Sequence, residues 1–152
     1  MEIFRIAFIG HREIYNALPI CDRLEEIIKN SLKHKEYVEF LMGRNGDFDI
    51  FAASAVKTAQ RAIGHENSCL ILVEPYPMKD DIYYKDFYDE IEYPIDSKTH
   101  PKGAITKRNR WLVENADMLL AYVEEGKNGG AMTALKYAEK LGVKIINLAE
   151  KD

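Results

Sequence analysis

Three loops of the chain combine glycine with a basic side chain, and each follows an apolar run. They are residues 10–12 (Gly-His-Arg), 43–46 (Gly-Arg-Asn-Gly) and 126–130 (Gly-Lys-Asn-Gly-Gly). Glycine lets backbone N–H groups come close to an anion, and a helix expected to begin near Gly130 adds the positive end of its dipole. A phosphate group is the ligand that this combination favours. Each loop alone also fits a simple turn, since turns are rich in glycine and polar residues.

The elements that must position these loops follow from the hydrophobic pattern. Short, nearly continuous apolar runs predict strands that are covered on both faces, and helical spacing of apolar residues predicts the helices between them. The predicted strands are residues 3–9, 37–42, 68–73, 117–123 and 143–148. The predicted helices are residues 18–33, 47–64, 105–116 and 131–141, with Asp47 as an N-cap and Gly142 just past a C-terminus.

This alternation predicts an α/β fold, a single Rossmann-like domain over residues 1–152 with a doubly wound, mostly parallel sheet and helices on both faces. Residues 79–101 are aromatic and acidic, and for them we expect a helix followed by an irregular crossing. In such a sheet the ligand crevice lies outside the carboxyl ends of the strands, where the strand order reverses. The three glycine-rich loops are all predicted at that edge.

Composition narrows the class of protein. The chain has 152 residues, 47% of them hydrophobic and 30% charged, which excludes wholesale disorder and fits one globular domain. A formal net charge of −4 disfavours general electrostatic capture of nucleic acid. Cys21 and Cys69 lie far apart, and His34, His65 and His100 share no ligand spacing with other residues, so no metal site is expected.

The expected location is cytoplasmic and away from membranes. The first residues form no basic leader followed by a cleavage site, and no apolar stretch approaches the ~20 residues of a membrane-spanning helix. The sequence IGHREI lacks the second and third glycines of the dinucleotide-binding fingerprint, and no P-loop motif occurs in the chain. Ordinary NAD oxidoreductases and P-loop NTPases are therefore poor interpretations.

Four segments together resemble one known group: FIGHR, GRNGDFDIFAA, KRNRWLVENADMLLAY and GKNGGAMTALKYAEKLGVKIINL. The chain resembles the SLOG superfamily, the Rossmann-like group that joins the DNA processing protein A domain to the LOG phosphoribohydrolases. Within it the chain is similar to the small, single-domain, bacterial YpsA-like branch. The resemblance covers residues 6–148, apart from residues 79–101. It implies a Rossmann-like fold that binds nucleotides or signals derived from them.

The sequence departs from the enzymatic LOG pattern PGGxGTxxE at its catalytic position. With Gly129 and Gly130 on the two leading glycines, Thr133 falls on the threonine and Lys136 falls on the glutamate. Arg108 matches the arginine that the family carries in the helix before the preceding strand. The resemblance thus implies that the anion-binding half of the site is retained, whereas the carboxylate needed for N-glycosidic cleavage is missing. We expect no LOG-type hydrolysis.

The sequence therefore predicts a protein that binds or senses a phosphorylated nucleoside derivative, such as a nucleotide or an ADP-ribose-like molecule, at the carboxyl rim of its sheet. No other cofactor is required. The predicted ligand-binding residues are Gly10, His11, Arg12, Gly43, Arg44, Arg108, Gly129, Gly130 and Thr133. For His11, a contact with the ligand and a bond within its own loop are equally good interpretations.

Two alternatives remain open. One is a nucleoside or nucleotide N-glycosidase or ribosyl transferase whose acid has moved to Glu74 or Glu125. The other is a DNA-associated or protein-interaction module, to which the cations of residues 107–110 can contribute and against which the net charge argues. The aromatic residues of 79–93 suit the core or a dimer face better than a base-stacking surface, so a homo-oligomer is possible.

Overall fold

A computed structural model describes residues 1–150 of the chain. Six strands and five helices are present in this range. The strands are β1 (Ile3–Gly10), β2 (Tyr37–Met42), β3 (Ser68–Val73), β4 (Glu90–Glu92), β5 (Met118–Tyr122) and β6 (Lys144–Asn147). The helices are α1 (Ala17–His34), α2 (Asp47–Ile63), α3 (Asp81–Tyr84), α4 (Pro101–Glu114) and α5 (Gly130–Leu141).

All six strands form one parallel sheet in the order β4-β3-β2-β1-β5-β6. From β1 the chain first builds outward through β2, β3 and β4, and it then returns to the other side of β1 to add β5 and β6. The strand order therefore reverses between β1 and β5, and the carboxyl ends of these two strands flank the crevice that such a reversal creates.

Helices cover both faces of the sheet, and side chains of alternate strand residues enter two separate cores. On one face α1 and α2 pack on a core that includes Phe8 and Phe40. On the other face α4 and α5 pack on a core that includes Leu119 and Leu112. This arrangement confirms the predicted fold class of a doubly wound α/β sheet with helices on both faces, and the sheet is parallel throughout.

The segment 79–101 is where the sequence-based prediction of structure is partly wrong. The predicted helix is only the single turn α3, and the sequence does not predict the short edge strand β4, whereas residues 93–100 are irregular as expected. The chain is held to β3 by Asp89, whose N–H donates to Leu70 O at 2.9 Å and whose carboxylate accepts from Leu70 N at 2.7 Å. A strand of three residues shows no apolar run, so pattern analysis does not find it.

Two helix boundaries also differ from the prediction. Helix α4 begins at Pro101 rather than at residue 105, because His100 accepts a hydrogen bond from Lys102 N and proline suits a first turn. Asp47 is the first residue of α2 and not its N-cap, which is Gly46. The Asp47 carboxylate instead accepts from Ile14 N at 3.0 Å and so ties the loop after β1 to α2.

None of the helices within residues 1–150 combines the length and the hydropathy needed to span a membrane.

Candidate functional site

A cavity of about 500 Å³ opens at the carboxyl ends of β1 and β5, where the strand order reverses. Its walls come from the ends of β1 and β2, from the first half of α4 and from the loop that begins α5. The size suits a small-molecule ligand. The cavity is lined by Phe8, Ile9, Gly10, His11, Arg12, Glu13, Gly43, Asn45, Asp49, Ile105, Arg108, Asn109, Leu112, Lys127, Asn128, Gly129, Gly130 and Ala131.

The N-terminus of α5 lies open at this cavity. Gly129, the residue before the helix, has φ +144°, a backbone conformation that favours glycine, and no side chain caps the helix. The first N–H that bonds back into the helix is that of Thr133, which donates to Gly129 O at 3.0 Å. The N–H groups of the preceding turn, from Gly130 to Met132, are therefore left for a ligand or water.

The N-terminus of α2 is partly closed, although its loop looks just as suitable in sequence. Asp47 N donates to Arg12 O at 2.8 Å, and Phe48 N donates to His11 O at 3.4 Å. The loop after β1 thus occupies the first two N–H groups of α2. Of the two glycine-led helix starts at this edge, that of α5 leaves more of its first-turn N–H groups open.

Arg108 is the buried cation of the cavity. Its side chain is 3% exposed; Nη1 donates to Val73 O at 2.9 Å and Nε donates to the side-chain oxygen of Asn109 at 2.9 Å. Within residues 1–150 no carboxylate oxygen lies within the 4.0 Å of an ion pair with this guanidinium. Burial lowers the pKa of Arg108, and the fields of Asp49 and Glu74 partly offset that effect.

Asp49 is a cavity residue that sequence reasoning missed. One of its carboxylate oxygens accepts from Asn45 N at 3.1 Å, and no hydrogen bond is found for the other. Burial raises the pKa of Asp49, while the bond from Asn45 and the charge of Arg108 act in the opposite direction. The available signal was its place three residues after Gly46, in the first turn of α2, but an acid in a first turn is usually explained by the helix dipole.

The imidazole of His11 forms a hydrogen bond with the protein backbone. Its Nε2 accepts a hydrogen bond from Glu124 N at 2.9 Å, so the ring proton is on Nδ1 and the imidazole is neutral. Burial lowers the pKa of His11, and the nearby Lys127 lowers it further. The side chain lines the cavity, but its main contact fastens the loop after β5 to the end of β1.

Gly10 and Gly43 are explained by packing. A Cβ at Gly10 would lie 2.3 Å from the ring of Phe48, and a Cβ at Gly43 would lie 2.5 Å from Nη1 of Arg108. Both positions therefore need glycine whether or not a ligand is bound, and their predicted contact with a ligand stays a prediction. Gly130 differs, because a Cβ there would meet only the side-chain amide nitrogen of Asn109, at 3.9 Å.

Arg44 does not line the cavity, in contrast to its predicted place in the site. Its guanidinium pairs with Glu74 at 2.8 Å and with Asp80 at 2.6 Å, and it lies over the ring of Tyr84, 4.3 Å from the centroid. These contacts turn the side chain toward the segment that leads into β4. Arg44 thereby anchors that segment to the end of β2.

The two carboxylates considered for catalysis are also outside the cavity. Glu74 is 1% exposed at the end of β3, where it faces Arg44 and Asp81, and Glu125 is exposed on the loop after β5. Glu13 and Asp49 are the acids that line the cavity. Of the remaining predicted residues, Arg12 is exposed and lines the cavity.

Thr133 and Lys136 lie further along α5. The Thr133 hydroxyl donates to Gly129 O at 3.0 Å, and the residue lines a neighbouring groove rather than the cavity itself. Lys136, which stands at the position of the LOG glutamate, is exposed. Among residues 1–150, no three histidine, cysteine or acidic side chains are grouped so that they could hold a metal ion.

The aromatic residues of the segment 79–93 divide between core and surface. Tyr88 is buried and packs edge-on against Phe87 at a centroid distance of 5.1 Å, whereas Tyr83 is 80% exposed. None of them lines the cavity. These side chains are therefore not placed to stack on a base bound in the cavity.

Solved structures show the same fold with little sequence identity. DNA processing protein A from Streptococcus pneumoniae matches 94% of this chain with a TM-score of 0.68 and 14% identity, and the chain spans about half (49%) of that protein's length. DNA processing protein A from Helicobacter pylori, whose structure is described by its single-stranded DNA binding mode, is also similar. It matches 98% of the chain and 68% of its own length, with a TM-score of 0.64 and 16% identity.

The molybdenum cofactor carrier protein from Chlamydomonas reinhardtii matches 99% of this chain and 79% of its own length, with a TM-score of 0.63 and 16% identity. No protein-family model and no curated protein sequence matches the chain. At these identities the comparison establishes the architecture and not the ligand. The chain therefore shares the Rossmann-like fold of these structures, as its sequence pattern predicts.

Proposed function

We propose that the protein binds a phosphorylated nucleoside derivative in the cavity between β1, β5 and the start of α5. The observation that supports this most directly is Arg108, a buried guanidinium with no ion-pair partner within residues 1–150 that faces a ligand-sized cavity. Leaving a charge buried without a counterion is costly, so such a group implies an anion that completes the site.

The open N-terminus of α5 supports the same conclusion from the other wall. Its free N–H groups and its dipole favour a negative charge, as does Lys127, whose side chain also lines the cavity. A phosphate between Arg108 and this helix end would receive charge-assisted hydrogen bonds from both. The apolar walls formed by Phe8, Ile9 and Leu112 suit the less polar part of a nucleoside.

Binding of AMP, ADP and ADP-ribose to the wild type and to Gly130→Val tests the proposal by isothermal titration calorimetry. Valine at this position has room in the fold but covers the N–H groups at the start of α5, so we expect binding to be lost. Gly103→Val is the matched control, because a Cβ there meets nothing within 4 Å and the residue does not line the cavity. The control should bind like the wild type.

Arg108→Ala provides a second readout. Removing one charge-assisted hydrogen bond should weaken binding by roughly 1.5–3 kcal/mol, or about tenfold to a hundredfold. Circular dichroism must show that each variant is folded. Normal binding by both Gly130→Val and Arg108→Ala would place the site elsewhere, and no binding of any of the three probes by the wild type at millimolar concentration would refute the proposed ligand class.

A single strand of DNA is the second candidate, since one structure of the same fold is described by its mode of binding single-stranded DNA. That neighbour does not support the sequence-based expectation that nucleic acid is an improbable partner. A phosphodiester could use Arg108 and the start of α5 in the same way as a free nucleotide. Fluorescence anisotropy with a labelled oligothymidylate distinguishes the two: tight binding that Arg108→Ala weakens, without competition by AMP, would favour the strand.

A further inference from the structure

A groove of about 390 Å³ runs between α4 and α5, beside the cavity described above. Its floor is formed by the facing sides of the two helices, and most of its lining side chains are polar. Among its lining residues are Ile105, Asn109, Arg110, Gly130 and Tyr137.

The groove and the cavity are parts of one continuous trough. Ile105, Asn109 and Gly130 line both of them, so the two spaces meet across the first residue of α5. Gly130 keeps this passage wide, because any Cβ would narrow the gap to the amide nitrogen of Asn109, which would then be 3.9 Å away. A ligand held in the cavity can therefore extend past Gly130 into the groove.

The side-chain amide of Asn109 is oriented so that it can donate a hydrogen bond to such a ligand. Its side-chain oxygen accepts from Nε of Arg108 at 2.9 Å, which identifies the opposite amide atom as the NH₂ group. That NH₂ group makes no hydrogen bond within residues 1–150. Arg108 thus fixes an unused donor at the junction between the two spaces.

The groove itself favours negative charge. Arg110 is exposed, lies over the ring of Tyr137 at 5.5 Å and forms no ion pair within the described residues. No carboxylate lines the groove, and Glu114 accepts a hydrogen bond from the Tyr137 hydroxyl at 2.7 Å. The tyrosine ring thereby stays fixed beneath the guanidinium.

We propose that the ligand carries a second anionic group, which binds at Arg110 and the Asn109 amide, so that nucleoside diphosphates and diphosphate-linked nucleosides are preferred over monophosphates. This inference rests on the proposed function, because the first phosphate is the one placed at Arg108 and α5. The second group lies one step further along the trough, past Gly130.

The test compares the dissociation constants of AMP and ADP, measured by calorimetry for the wild type, Arg110→Ala and Lys107→Ala. We expect the wild type to bind ADP at least tenfold more tightly than AMP. Arg110→Ala should reduce this ratio to below about threefold, because it removes the cation that meets the second phosphate. Lys107 is a matched control on the same helix: it is exposed, and it lines neither the cavity nor the groove. The ratio should be unchanged in Lys107→Ala.

The outcomes separate this inference from the function on which it rests. Equal binding of AMP and ADP by the wild type, or a ratio that Arg110→Ala leaves unchanged, overturns the second anionic site while the phosphate site stands. Failure of both nucleotides to bind overturns the two together. Arg110 is exposed on the surface of α4, so its replacement should leave the fold intact, and circular dichroism verifies this.

Discussion

Replacing Glu74 with glutamine should make the protein more stable at alkaline pH and leave it almost unchanged at acid pH. Oε1 of Glu74 accepts from Nε of Arg44, but Oε2 is buried with no donor, and so is Oδ1 of Asp81. The other Asp81 oxygen accepts from Met78 N and the hydroxyl of Tyr93. If Oε2 of Glu74 carries a proton and donates it to Oδ1 of Asp81, both of these oxygens gain a hydrogen-bond partner.

The pKa values agree with this shared proton. Burial and the contact to Asp81 raise the pKa of Glu74 and Arg44 opposes the shift, so that the pKa is about 7. The pKa of Asp81 is lowered by its bond from Glu74 and by the donors Met78 and Tyr93, against the effect of burial. The arrangement therefore has one neutral and one charged carboxyl group below neutral pH.

The sign of the effect follows from proton binding. From pH 4.5, the ordinary pKa of glutamate, up to about 7, the folded state holds a proton on Glu74 that the unfolded state has lost. Stability from this proton is complete below pH 4.5 and disappears as the pH rises through 7. Between pH 5 and pH 8 the difference amounts to about 2 to 3 kcal/mol, since each pKa unit corresponds to 1.36 kcal/mol. Glutamine keeps both hydrogen bonds and does not titrate.

Urea unfolding at pH 5, 6, 7 and 8 measures this difference. The free energy of unfolding of Glu74→Gln minus that of the wild type should grow with pH by about 2 to 3 kcal/mol. Other groups that titrate in this range, His11 among them, contribute equally to both proteins. Glu26→Gln, at an exposed position on α1, is the control and should show no growth. A difference that stays flat or falls with pH would mean that Glu74 is ionised and that its pair with Arg44 stabilises the fold.

Three further outcomes follow from the structure. Asp49→Asn removes negative charge from the cavity and should tighten AMP binding by about fivefold to tenfold at pH 8, measured by calorimetry; weaker binding would show that the carboxylate itself contacts the ligand. Gly10→Ala should lower the free energy of unfolding by roughly 1–3 kcal/mol because its Cβ meets Phe48, whereas Gly130→Ala should not lower it. Cys69 is buried, which raises its pKa to about 12, so its thiol should resist Ellman's reagent at pH 8 until urea is added.

How far the sequence predicts the fold depends on how much of each element is buried. Strand β3 is buried at all six positions, and an apolar run such as CLILV after Ser68 has few other interpretations. Strand β4 has three residues at the sheet edge, with Ile91 as its one apolar side chain, and hydrogen bonds between Asp89 and Leu70 hold its start against β3. Local pattern reveals the first kind of strand and cannot reveal the second, whose partner lies about twenty residues earlier in the chain.

The candidate site shows a different limit of prediction from sequence. The backbone N–H groups of the same local sequence can be hydrogen-bonded within the protein or free. The loops before α2 and α5 both place glycine at a helix start, and both predict an anion site. In the structure, the carbonyl groups of His11 and Arg12 accept hydrogen bonds from the first two N–H groups of α2. No backbone carbonyl group of residues 1–150 accepts from the first N–H groups of α5. Which helix end stays open is decided by how two distant loops fold onto each other. Composition and spacing identify the candidate loops, and only tertiary contacts decide which of them keeps its backbone donors free.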